Sequence, residues 1–113
     1  MHYRIQVLPW CNRQLKRLKK KYPRIKTDLE EVGEILKINP EAGVKISGLN
    51  LPLYKIRMKS SDQKKGKSGG YRVIYYFKSK DGIIYLVDIY PKAARTNFDH
   101  KKIIDALYEA GLS

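Results

Sequence analysis

Cysteine is almost absent from this sequence: Cys11 is the only one among 113 residues. A lone cysteine excludes an internal disulfide and a zinc site built on cysteine pairs, so a reducing cytoplasm is the expected compartment. Long apolar runs are missing too. None approaches the roughly 18 to 20 residues that a membrane-spanning helix needs, and the start of the chain, Met1 to Arg4, carries no export signal, so no membrane partner is expected. Glycine-rich phosphate loops of the P-loop form are not found, and neither histidine stands near a Ser or Cys nucleophile motif. Acids are scarce, 11 against 24 Lys and Arg. They are fewest where the cations are densest, which argues against a carboxylate-held metal pair, and neither metal nor other cofactor is expected.

What is present is charge of one sign, in two places. Residues 12–26 hold eight Lys or Arg and no acid; residues 54–76 hold seven, with Asp62 the only acid. These two segments account for the whole net charge of +13, and the rest of the chain is close to neutral. Clustered cations concentrate a polyanion and release its counterions on binding, so nucleic acid is the default partner. A solubilising face is the plainer alternative. At 42% hydrophobic residues the composition is that of a folded chain, and its length fits one domain spanning 1–113.

Hydrophobic periodicity predicts the elements. Tyr3, Ile5 and Val7 alternate as a short strand before Pro9. Leu15, Leu18 and Tyr22 mark one helical stripe, and Leu29, Val32, Ile35 and Leu36 another. Thr27 with Glu30 fits a capping box for that second helix, although Pro23 allows an earlier start. A Gly-containing loop with a brief extended stretch leads to Tyr54, where the period becomes two. Tyr54, Ile56 and Met58 point one way; Lys55, Arg57 and Lys59 point the other. After a polar connection, Tyr71 to Lys78 reads as a strand, and Asp81 with Gly82 turns the chain into another, Ile83 to Tyr90. Asp99 is placed to cap a last helix with Ile103, Ile104, Leu107 and Tyr108 as its stripe and Gly111 as its stop. The order β-α-α-β-β-β-α predicts an α+β fold with a mainly antiparallel sheet, helices on one face and the other face open.

A cationic sheet face can cut RNA without a metal because the substrate brings its own nucleophile, the 2′-hydroxyl beside the scissile phosphate. The protein then supplies a base, cations for the charge developing on phosphorus, and an acid for the leaving oxygen. Lys55, flanked on its face by Arg57 and Lys59, is a candidate base, since like-charged neighbours disfavour the protonated form of a lysine. Tyr71 and Tyr76, beside Arg72, are candidates for stacking on unpaired bases, whereas Tyr75, in phase with Val73 and Phe77, belongs to the core.

The run Leu53, Tyr54, Lys55, Ile56, Arg57, Met58, followed by Gly70, Tyr71, Arg72, Val73, Ile74, Tyr75, Tyr76 and a further apolar strand, resembles the RelE/ParE toxin superfamily, RelE and HigB-type members in particular. Lys65 to Gly70 is similar to a loop of the HigB-type group. The resemblance covers the chain in element order, with its specific part between Leu53 and Lys92. It implies the RelE-like fold and a cytoplasmic toxin held by a cognate antitoxin. The implied activity is that of an endoribonuclease, an mRNA interferase cutting message in the ribosomal decoding site. By the same resemblance Lys55, Arg57 and Arg72 are the catalytic candidates, and Lys92 supports the RNA backbone, with Lys59, Lys67 and Arg95 as further RNA-binding candidates. Two departures stand out. Ala93 occupies the place of a late catalytic arginine, with Arg95 two residues on, and Phe98 and Asp99 stand where a late tyrosine would act. His100 is then a candidate acid or base, although a single histidine at a helix start is more often structural. Two other functions stand as alternatives: a ParE-like inhibitor of DNA gyrase, against which Lys55, Arg57 and Arg72 argue, and a basic RNA-binding module without activity, which the missing late residues favour.

Overall fold

A computed structural model describes residues 3–62, 69–94 and 97–112. β1 (Arg4–Val7) leads into α1 (Pro9–Lys19), which begins at a proline whose missing N–H is not needed in a first helical turn. α2 (Ile25–Ile38) packs beside it. A two-residue strand, β2 (Val44–Lys45), precedes β3 (Leu53–Met58), β4 (Tyr71–Phe77) and β5 (Ile83–Pro91), and α3 (His100–Glu109) closes the order. The sheet order is β1-β5-β4-β3-β2. Among the described strands only the β1–β5 pair is parallel; the other three pairs are antiparallel.

The α+β class and the mainly antiparallel sheet are as the periodicity predicts, but the helices do not share a face. α1 and α2 cover one side, where Cys11, Ile25, Leu29, Val32 and Leu36 meet Tyr71, Val73, Tyr75 and Phe77. α3 covers the other, where Ile103, Ala106 and Leu107 meet Leu53, Ile74, Tyr76 and Tyr90. β4 is buried at all seven positions. Its nearly unbroken apolar and aromatic run, Tyr71 to Phe77, is the pattern of a strand covered on both sides, and it required a second helical layer.

Local details shift accordingly. The capping box does not form: α2 starts two residues before Thr27, and no side chain of the preceding residue caps it. Its start is instead held from outside, because the backbone N–H of Arg24 donates to Asp62 (2.9 Å), and Ser61 donates to Asp28 through both its N–H (3.0 Å) and its hydroxyl (2.7 Å). Asp99 does cap α3, accepting from the N–H groups of Lys101 and Lys102. Gly111, at φ +74°, ends it, with the N–H of Leu112 returning to the carbonyl of Leu107. The stripe of α3 is Ile103, Ala106 and Leu107, while Ile104 and Tyr108 are exposed. Among the described residues no helix is long and apolar enough to cross a membrane.

Candidate nucleic-acid interface

Alternation places Lys55 and Arg57 on the face of β3 opposite to Tyr54, Ile56 and Met58, which join the α1–α2 core. Registration then sets Arg57 directly across from Arg72 on β4, and Arg72 across from Tyr90 on β5. Lys55 lies opposite Ile74. Like charges facing each other across a sheet are unfavourable. Among the described residues no carboxylate forms an ion pair with Lys55, Arg57 or Arg72. An unneutralised row of this kind is stabilised by an anion from outside.

The three cations differ in setting. Arg57 is exposed, Lys55 half-buried, and Arg72 only 8% exposed. Arg72 is held by its own strand entrance, with Nη1 donating to the carbonyls of Gly69 (3.1 Å) and Tyr71 (3.2 Å). Two of the five guanidinium donors are thereby engaged, and the rest stay available for a planar oxyanion. Gly69 and Gly70 both have positive φ, +75° and +56°. A Cβ on Gly70 would collide with the Met58 carbonyl oxygen, and one on Gly69 would come within 3.2 Å of the Lys92 stem and 3.8 Å of Arg72 Nη1. Lys92 and Arg72 therefore pack over one glycine, and the backbone N–H of Lys92 closes the corner on the carbonyl of Gly70 (3.0 Å).

The sequence-predicted site is thus brought together in part. Arg57, Arg72 and Lys92 gather at one end of the sheet, with exposed Lys59 just beyond β3, while Lys55 lies on the same face nearer the middle, opposite Ile74. Tyr71 and Tyr76 are corrected: both are buried, at 0% and 2% exposure, and neither presents a ring for stacking on a base. Tyr71 lies in the α1–α2 core, edge-on to Tyr22 (5.5 Å), with its hydroxyl 3.3 Å from that of Ser60. Burial pushes its phenol up to about 12, against the opposing pull of the Ser60 contact. Tyr76 sits under α3, its hydroxyl donating to the Leu112 carbonyl. Tyr75 is core as expected; its hydroxyl donates to the Pro40 carbonyl (2.7 Å) and accepts from the Gly43 N–H (2.9 Å). His100 is exposed on the first turn of α3 and packs against Phe98 at 4.7 Å. Ala93 is exposed in the turn after β5. Lys67 and Arg95 lie outside the described residues.

Sequence reasoning passed over Trp10 and Asp88. Asp88 is fully buried, yet it interrupts the apolar run of β5, and that interruption was the readable signal. It accepts the indole N–H of Trp10 (3.1 Å) and the backbone N–H of Ile89 (2.8 Å).

No family model matches the sequence. Among solved structures, a mutant of E. coli toxin RelE in the free state aligns over 97% of this chain and 98% of its own, with a TM-score of 0.60 and 20% identity. A chain of the archaeal RelE–RelB complex from Pyrococcus horikoshii OT3 aligns over 84% of this chain and 100% of its own, with a TM-score of 0.54 and 26% identity. The chain has the RelE fold. In this RelE-like chain Arg57 and Arg72 form a cationic row across β3 and β4, with Lys92 packed over Gly69 at its corner.

Proposed function

We propose that this RelE-like chain is the toxin of a type II toxin–antitoxin pair and cuts messenger RNA on the ribosome without a metal. The observation that carries the reading is the Arg57–Arg72 cross-strand register, two like charges with no ion-pair partner among the described residues, whose repulsion an RNA phosphate would relieve. In this reading Lys55 takes the proton of the 2′-hydroxyl, the 2′-oxygen attacks phosphorus, and the 5′-oxygen departs with a proton from solvent, leaving a 2′,3′-cyclic phosphate. Arg57 and Arg72 neutralise the phosphate oxygens as charge develops, and Lys92 holds the adjoining backbone. A cognate antitoxin is the expected protein partner, since a similar fold occurs in a RelE–RelB complex.

Expression without an antitoxin gene should arrest growth and leave messages ending in 2′,3′-cyclic phosphate, and Lys55→Ala combined with Arg72→Ala should relieve the arrest. Intact messages during arrest, with a DNA-damage response, would instead point to a gyrase inhibitor. Undiminished growth at high expression would point to a binding module.

A further inference from the structure

The row of the candidate site does not stop at Arg72. Its next member, Tyr90, is a wall of a cleft of about 390 Å³ enclosed by α1, the end of β5 and the start of α3, with Trp10, Gln14, Arg17, Asp99 and Lys102 among its lining residues. That volume falls within the roughly 300 to 1,000 Å³ typical of small-ligand sites.

Five observations converge on the chemistry of an occupant. Trp10 is the only tryptophan of the chain and is half-buried, so part of its ring surface stays accessible. Its indole N–H is engaged by buried Asp88, which fixes the ring plane. Two cations lie over that ring, the Lys102 ammonium of the lining at 5.1 Å from the centroid and, outside the lining, the Arg13 guanidinium at 5.7 Å, which also pairs with Glu109 (3.5 Å). Arg17 adds a cation to the lining of the cleft itself, its guanidinium donating to Gln14 Oε1 at 2.6 Å. Among the described lining residues the one carboxylate, Asp99, accepts from the N–H groups of Lys101 and Lys102. An oriented aromatic ring rimmed by arginine and lysine matches a flat π-surface that carries a phosphate. A purely apolar ligand would leave the cations unused, and a free anion would leave the ring unused.

We propose that this cleft is a nucleobase subsite, in which one base of single-stranded RNA stacks on Trp10 and its phosphate is held by Arg17 and Lys102. The inference rests on the reading that Arg57 and Arg72 bind RNA, because Tyr90 and Arg72 are register partners one strand spacing apart, about 4.8 Å. Consecutive nucleotides can then occupy the cationic row and the cleft. Stacking by a base outweighs the solvent-exposed cation–ring contacts it displaces, and the freed Lys102 ammonium passes to the phosphate. The subsite also supplies the aromatic contact that Tyr71 and Tyr76, being buried, do not.

The test uses the wild-type chain and a 2′-O-methylated single-stranded pentaribonucleotide, which resists cleavage. Binding is followed by anisotropy of a label on the RNA and, in parallel, by Trp10 emission, which reports this cleft alone. Saturable quenching that tracks the anisotropy is expected. Oligonucleotides abasic at each position in turn should include one that binds roughly tenfold more weakly and no longer quenches. Lys102→Ala should weaken binding of the intact oligonucleotide while narrowing that gap. An anisotropy change with Trp10 emission unaltered would overturn the subsite and leave the RNA reading standing. No anisotropy change at all would overturn both.

Discussion

Arg57 and Arg72 face each other across the β3–β4 ladder, one exposed and the other almost wholly buried. Directly opposed like charges disfavour the fold by roughly 0.2 to 1 kcal/mol. Arg57→Thr, which keeps good strand propensity, should therefore stabilise the chain by an amount of that order in urea unfolding while reducing message cleavage. A variant that loses both stability and cleavage would show that the pair is not in conflict.

The same pair sets an electrostatic signature. Each cation that neutralises a phosphate of a single strand contributes about 0.7 to the slope of log affinity against log salt. Arg57→Gln should lower the measured slope for an RNA oligonucleotide by about that much. An unchanged slope would place Arg57 outside the bound RNA.

Gly70 carries a conformational demand that no side chain meets. Its φ is +56°, and a Cβ there would run into the Met58 carbonyl. Gly70→Ala should lose at least about 2 kcal/mol, combining left-handed strain of roughly 1 to 2 kcal/mol with that collision. RNA affinity should fall as well, because Arg72 leans on the carbonyl of neighbouring Gly69.

Tyr75 ties the segment after α2 to the centre of the sheet through one donated and one accepted hydrogen bond. Tyr75→Phe should cost about 1 to 3 kcal/mol near neutral pH, since the Pro40 carbonyl and the Gly43 N–H lose their partner. Burial also raises the phenols of Tyr75 and Tyr71 from the usual 10.0 to about 12. A group that ionises later when folded stabilises the fold fully below its unfolded value and loses that contribution as pH rises through its folded value. Unfolding free energy should therefore decline between pH 10 and about 12, and less steeply in Tyr75→Phe. Circular dichroism during urea titration across that window is the measurement.

Asp28, inside α2, accepts two hydrogen bonds from Ser61, just past the end of β3. Asp28→Ala should destabilise by about 1 to 3 kcal/mol by leaving that N–H and hydroxyl without their acceptor. Loss of less than half a kcal/mol in urea unfolding would mean that water replaces the carboxylate freely.

Much of this is legible in the sequence alone, because it depends on neighbours in the chain. Lys55 and Arg57 share a face through strand alternation, Asp99 and Gly111 bound α3 through capping chemistry, and Tyr75 is core by its phase with Val73 and Phe77. The Arg57–Arg72 pairing, the packing of Lys92 and Arg72 over Gly69, the burial of Tyr71 and Tyr76, the crossing of α3 to the second face and the seating of Trp10 on Asp88 were decided by the tertiary structure. The division has a physical cause. A side chain's direction along its own strand or helix follows from local periodicity. Its partner on another element follows from registration and layering, which depend on how every apolar surface of the chain finds cover at once.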